Sequence, residues 1–180
     1  DIVIIGKACG KEKEALLRME KLKERIEDIK YKVSNSTKPR VYFEIWNSPF
    51  TSAGNGSFID ELITLAGGEN IMHDVNKTYP EVSAEDIISR NPEIIITAYM
   101  QKKGKVKEEI MRRSGWGNID AVKNKRIYDD INPDLLLRSG SRLIDGLYEL
   151  AKKIHPDLIN DDKSKKEVKK EPKKKTKESK

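Results

Sequence analysis

Residues 78–97 read TYPEVSAEDIISRNPEIIIT. Within this stretch Ser83-Ala84-Glu85-Asp86 forms a capping box, a serine oxygen and an acid placed to satisfy the free amides of a helix start. It predicts a short helix to about Ser89, ended by Asn91-Pro92. Ile94-Ile95-Ile96 then forms an unbroken apolar, β-branched run. A strand with one face in water alternates in polarity, so a continuous run predicts a parallel strand covered on both faces.

The same grammar extends in both directions. Downstream, Lys105–Arg113 reads as a helix and Arg126-Ile127-Tyr128 as a short strand. A final helix is predicted from about Leu135 to Ile154, with Leu143, Leu147, Leu150, Ala151 and Ile154 on one side. Upstream, Arg40–Trp46 (RVYFEIW) alternates as a strand, with Val41, Phe43 and Ile45 on one face and Tyr42, Glu44 and Trp46 on the other. The turn SPFTSAGNG leads to a helix whose start is read as a capping box of Ser57 and Asp60 and whose buried side is Phe58, Leu62, Ile63 and Leu65. Gly67-Gly68 stops it. Before all of these, a helix from about Gly10 to Lys32 carries one narrow stripe of Ala15, Met19, Leu22, Ile26, Ile29 and Val33 among Lys and Glu. At 1.5 Å per residue it spans roughly 35 Å. It fits either a strut packed across a domain or a coiled-coil seam. Ser34–Lys38 and Pro39 form the linker that follows, and DIVIIG at residues 1–6 is a short apolar segment or the end of a larger unit. The order of elements implies an open, mainly parallel, Rossmann-like α/β sheet flanked by helices and preceded by a long strut helix.

Composition narrows the function. Charged residues make up 37% and apolar residues 36% of the 180, and the net charge is +6. Asp161–Lys180 holds ten Lys against five acids, so it carries +5, and the remainder is close to neutral. That argues against a nucleic-acid-binding fold and predicts a disordered Lys-rich tail. The lone Cys9 allows neither an internal disulfide nor a Cys-based metal site. The sequence shows no signal peptide and no membrane span. No GxSxG, HExxH or P-loop pattern occurs, and His73 and His155 are far apart, so neither a catalytic constellation nor a metal site is expected.

Open α/β sheets bind ligands beyond the carboxyl ends of their strands. Trp46, Asn47 and Phe50 follow the first strand, Tyr99 and Met100 follow the isoleucine strand, and Arg138 follows the last. Trp46 fits ligand contact or core beneath a helix. Met100 fits a ligand contact or a gap-filler. Arg138 fits an anion-binding fork or a solvated charge, while Arg142 reads as structural. Glu85, in a first helical turn, favours the positive end of the dipole by roughly 0.3–1 kcal/mol whatever else it does.

Four segments resemble one family: GKEKEALLRMEKLKERI, GNGSFIDELITLAGGENI, YPEVSAEDIISRNPEIIIT and AVKNKRIYDDINPDLLLRSGSRLIDGLYELAKKIHP. Spread over residues 6 to about 158, they are similar to the carboxy-terminal part of helical-backbone substrate-binding proteins of ABC importers, the class for vitamin B12, haem and ferric siderophores. The resemblance implies one lobe of a two-lobed binding protein. Residues 1–9 would be the remnant of an upstream lobe, 10–33 the inter-lobe helix, 39–158 the carboxy-terminal lobe and 161–180 the tail, in a truncated chain. It implies no enzyme activity and no intrinsic cofactor, with an iron chelate or cobalamin as transported ligand. It places Tyr79 against the ligand, and Glu85, with Glu81 and Asp86 as neighbours, against a permease dimer. An extracytoplasmic location follows, anchored by a lipid or segment absent from this chain. The bare stripe of the strut helix would favour self-association. Two other readings stand beside it: a tetrapyrrole- or metal-processing α/β enzyme, and an anionic-surface-binding protein acting through the basic tail.

Overall fold

The computed structural model describes residues 2–99, 105–138, 140 and 142–159. Met100 and the Lys-rich segment 161–180 lie outside the described residues.

DIVIIG lies in a helix, α1 (Ile2–Ala8), which turns back on the long helix α2 (Glu12–Val33). The two meet at Gly6, where an added Cβ would stand 2.3 Å from the Ala15 Cβ. The other end of the α2 stripe enters the main core, with Ile29 and Val33 buried. Its middle residues, Met19, Leu22 and Ile26, are half-buried, and Leu16 and Leu17 are exposed. The helix therefore lies along one face of the α/β unit, where Arg25 pairs with Asp145 at 2.8 Å.

Strand β1 (Arg40–Asn47) is the middle of the sheet. On one side it pairs in parallel with β4 (Ile94–Thr97), Val41 opposite Ile94 through Glu44 opposite Thr97, and β4 pairs in parallel with β5 (Ile127–Tyr128). The other side of β1 is shared. Its start pairs in parallel with β3 (Glu69–Asn70), and its end pairs with the antiparallel β2 (Phe50–Ser52). Val41, Phe43, Ile94 and Ile96 face α2, the helix α3 (Phe58–Leu65) and the carboxy-terminal helix α8 (Leu143–Ile154). Tyr42, Ile95 and Ile127 face α4 (Ala84–Arg90), α5 (Val106–Met111), the 3-10 turn Trp116–Asn118 and α6 (Asp120–Lys123). Helices on both faces are what the unbroken isoleucine run requires.

The caps differ in one respect from the reading of the sequence. Ser57 and Ser83 each accept the amide of the third residue on, Asp60 and Asp86, as a serine cap should. The aspartates do not close the boxes with their own carboxylates. Asp60 is bonded by Asn70 and His73, and Asp86 by Arg90. Gly67 (φ +80°) and Asn91 (φ 42°) end α3 and α4 in the left-handed region.

The predicted final helix is a correction. It is two helices, α7 (Pro133–Leu136) and α8. Asn132 caps α7 through the amide of Asp134, with Pro133 at its first position. The break lets α7 fold against α8 at Gly146, where a Cβ would come within 2.5 Å of the Leu135 carbonyl oxygen. A straight rod could not make that contact. Beyond α8 the buried His155 sets its Nε2 3.2 Å from Ser36 Oγ and 3.0 Å from the Gly67 carbonyl oxygen. One imidazole thus joins the linker after α2, the end of α3 and the end of α8.

Candidate functional site

The site is built on the carboxyl end of β1. Between Glu44 and Trp46 the strand advances two residues while β2 advances one, from Ser52 to Thr51. Such a bulge bends a strand and re-aims its side chains. Glu44 is fully buried, and Trp46, two residues on, is 48% exposed. The Trp46 indole donates to the Ser48 carbonyl oxygen at 2.8 Å, and its ring meets Tyr99 edge-on at 6.3 Å. Asn47 lies opposite Phe50 at the hairpin end and is half-buried.

Beneath Trp46 lies a buried polar knot. The Arg113 guanidinium grips the Glu44 carboxylate with two bonds, 2.6 Å to Oε2 and 2.7 Å to Oε1. The Tyr99 hydroxyl donates to Glu44 Oε1. Aromatic rings close over the guanidinium, with Phe50 and Trp116 centroids 4.8 and 4.5 Å from its central carbon. Burial works against the charge of Arg113, yet the bonds to Glu44 hold it above the ordinary arginine range. Burial, with the Glu44 charge second, pushes the Tyr99 phenol well up, so it stays a donor. Tyr42 is pushed up in the same way, burial first and the Glu44 charge second. Its hydroxyl has no hydrogen-bond partner among the described residues. Tyr42→Phe is therefore expected to stabilise the chain by about 1 kcal/mol, the size of an unsatisfied buried hydroxyl. Calorimetry decides it, and a lower Tm would show that the hydroxyl has a partner.

The other predicted residues are distributed around this knot. Residues 80–82 run along the outer edge of β2, with Ser52 N donating to Pro80 O and Val82 N to Phe50 O, at 3.0 and 2.9 Å. Tyr79 precedes this strip, 43% exposed and without a ring contact to Trp46, Phe50 or Tyr99. The loop before it rests on Gly54, where a Cβ would lie 2.2 Å from the Lys77 carbonyl oxygen. The structure thus joins Trp46, Phe50 and Tyr99 and leaves Tyr79 on the outer edge. Tyr99, expected at an open rim, is 6% exposed and committed to Glu44. Arg138 is exposed and paired with Asp134 one turn earlier at 2.9 Å. Met100, the remaining expected ligand residue, is outside the described residues.

Among the predicted docking acids, Glu81 and Glu85 are exposed and make no ion pair among the described residues. Asp86 is engaged by Arg90 at 3.0 Å. Arg90 also binds Asp74 and the Ile71 carbonyl oxygen, tying α4 to the loop after β3, and its hydrogen bond holds the Asp74 carboxyl below the usual range. His73 contacts Asp60 at 2.9 Å, and no group of three or more metal-ligating side chains occurs among the described residues. Among them, too, no helix is long and apolar enough to cross a membrane.

Reading the sequence missed Glu44, Arg113 and Trp116. A carboxylate in a strand covered on both faces was the available signal, since such a charge must find a partner.

The periplasmic binding protein family model matches residues 1–133. Among curated proteins the chain is similar to the uncharacterized ABC transporter substrate-binding lipoprotein YvrC of Bacillus subtilis (strain 168), 33% identical over 164 residues, or 89% of this chain and 50% of that protein. It is also 30% identical over 116 residues to the vitamin B12-binding protein of Salmonella paratyphi A, which take in 64% of this chain and 40% of that one. Among solved structures, a possible iron-binding (periplasmic solute-binding) protein from Staphylococcus epidermidis matches with a TM-score of 0.77 and 31% identity, over 86% of this chain and 60% of that one. The chain spans about half the length of the curated relatives it matches. These proteins are named for binding, not for catalysis. With its first 133 residues matched, on a mainly parallel sheet covered by helices, the chain belongs to the periplasmic binding protein family.

Proposed function

We propose that this chain is the carboxy-terminal lobe and inter-lobe helix of the solute-binding component of an ABC importer. Its cargo is an iron chelate, siderophore or haem, or cobalamin, and a metal in that cargo is substrate rather than resident cofactor. The observation that carries the reading is the half-exposed Trp46 at the carboxyl end of β1, backed by Tyr99, with Phe50 near it on Arg113. An aromatic surface with a few polar anchors suits a large, partly planar ligand. Asn47 and Arg138 supply the anchors, Tyr79 a second aromatic at the edge, and Met100 a further contact. In this reading residues 1–9 belong to an upstream lobe, 10–33 form the strut and 39–158 the second lobe, which closes on the first with small hinge motion. The protein acts outside the cytoplasm, held at the membrane by a lipid or segment beyond this chain. The exposed Leu16 and Leu17 of α2 favour pairing of two copies when the upstream lobe is missing.

Delivery is assigned to Glu85, with Glu81 beside it, each exposed and free of ion pairs among the described residues. Exposed acids of this kind set orientation and encounter rate with a basic permease surface. The test joins the chain to its upstream lobe and titrates cobalamin, haem and ferric siderophores by tryptophan fluorescence. Saturable binding of one of them is expected, and silence with all three rejects the ligand class. Glu85→Lys should impair uptake and leave binding intact, so normal uptake by that variant rejects the docking role.

A further inference from the structure

We propose that Glu44 is a positioning residue for the aromatic face, acting through Tyr99 on Trp46 and through Arg113 on Phe50. This rests on the reading of that face as the ligand face.

Glu44 makes no contact with solvent, so it cannot itself be the ligand's partner in this arrangement. Its two oxygens serve two different segments. Tyr99 lies just past the end of β4, and Arg113 lies just past the end of α5, so one carboxylate ties these two segments together. Each of these partners then touches an aromatic residue of the face. Tyr99 supports the ring of Trp46 from its edge, and Arg113 lies against the ring of Phe50. Trp46 stands on the same strand as the carboxylate, across the bulge.

An apolar filler would hold a strand at least as well as a buried ion pair does, because desolvating two charges is costly. What the charged fork adds is direction. A planar guanidinium on a carboxylate has one orientation, and the phenol has one acceptor to find. Rings held in place before the ligand arrives need not be ordered when it binds, and that raises affinity.

Nitrogen-15 relaxation of the two indole N–H groups reads this directly, with Trp116, fully packed, as the internal control. Tyr99→Phe keeps the ring and the Glu44–Arg113 fork and removes only the hydroxyl. Its expected result is a loss of order at Trp46 with Trp116 and the far-UV circular dichroism unchanged. Glu44→Gln should show the same loss wherever it folds. An equally ordered Trp46 in folded Tyr99→Phe overturns the proposal, since ring packing alone would then suffice.

A second arm titrates cyanocobalamin and haemin against the protein joined to its upstream lobe. Tyr99→Phe should weaken binding about tenfold, the equivalent of one hydrogen bond to a charged group. Equal affinity in wild type and variant overturns the proposal as well. If wild type binds neither probe, cobalamin and haem are excluded as cargo, and the relaxation arm still decides whether Glu44 positions Trp46.

Discussion

Arg113→Leu is expected to destabilise the chain by about 3–5 kcal/mol, the cost of leaving a buried charge without its partner. Glu44 is fully buried, and the Arg113 side chain is only 14% exposed, so water does not replace the fork easily. The Tyr99 hydroxyl is the remaining donor to the carboxylate among the described residues, and one neutral donor does not balance a full charge. The variant also strips the cation from the rings of Phe50 and Trp116. Urea unfolding measures the loss. The double variant Glu44→Leu/Arg113→Leu should recover most of it, because it leaves no buried charge unpaired and only the Tyr99 hydroxyl without its acceptor. A single variant that loses less than about 1 kcal/mol, the range of an exposed pair, would mean that solvent reaches the carboxylate.

Gly54→Ala is the second large effect. The new Cβ would stand 2.2 Å from the Lys77 carbonyl oxygen and 2.9 Å from that of Val75. Both are backbone atoms, so no side chain can swing away to make room. The two nearby bonds, Gly54 N to Thr78 O and Asn55 N to Val75 O, each 3.0 Å, hold the loop at that distance. Overpacking of this kind costs about 1–3 kcal/mol. The displacement passes along the loop to Tyr79 and Pro80. Hydrogen exchange should therefore quicken at residues 75–79 and stay unchanged in β4. Unchanged exchange in the loop would show that it yields without losing its bonds.

What the residues revealed beforehand follows their physics. The unbroken Ile94-Ile95-Ile96 run predicted a strand buried on both faces, and β4 is one. The stripe on α2 and the serine caps at Ser57 and Ser83 were equally readable, because periodicity and capping are local. The break between α7 and α8 was hidden. Leu135 and Leu143 both fit an apolar helical face, and only the contact of Leu135 with Gly146 demands the fold-back. The short β2 and β3 were missed as well, since one lies inside the turn-rich SPFTSAGNG and the other directly behind the Gly67-Gly68 helix stop. At the candidate site, Trp46 and Phe50 were singled out by their position after a strand. Glu44 was hidden by its own alternation, since it occupies a polar slot in a pattern that suggests a wet face. The face is dry, and Arg113, 69 residues away, is what makes the charge tolerable there.

The His155 junction carries a consequence for the order in which the chain can fold. Its two bonds reach back 119 residues to Ser36 and 88 residues to Gly67. Contacts of that separation are slow to form, because a long loop must close before they are rewarded. A ribosome releases α2 and α3 long before α8. Until the last helix emerges, the ends of the first two lack the imidazole that fastens them together. The junction of these three ends is therefore completed only once α8 and His155 have been made.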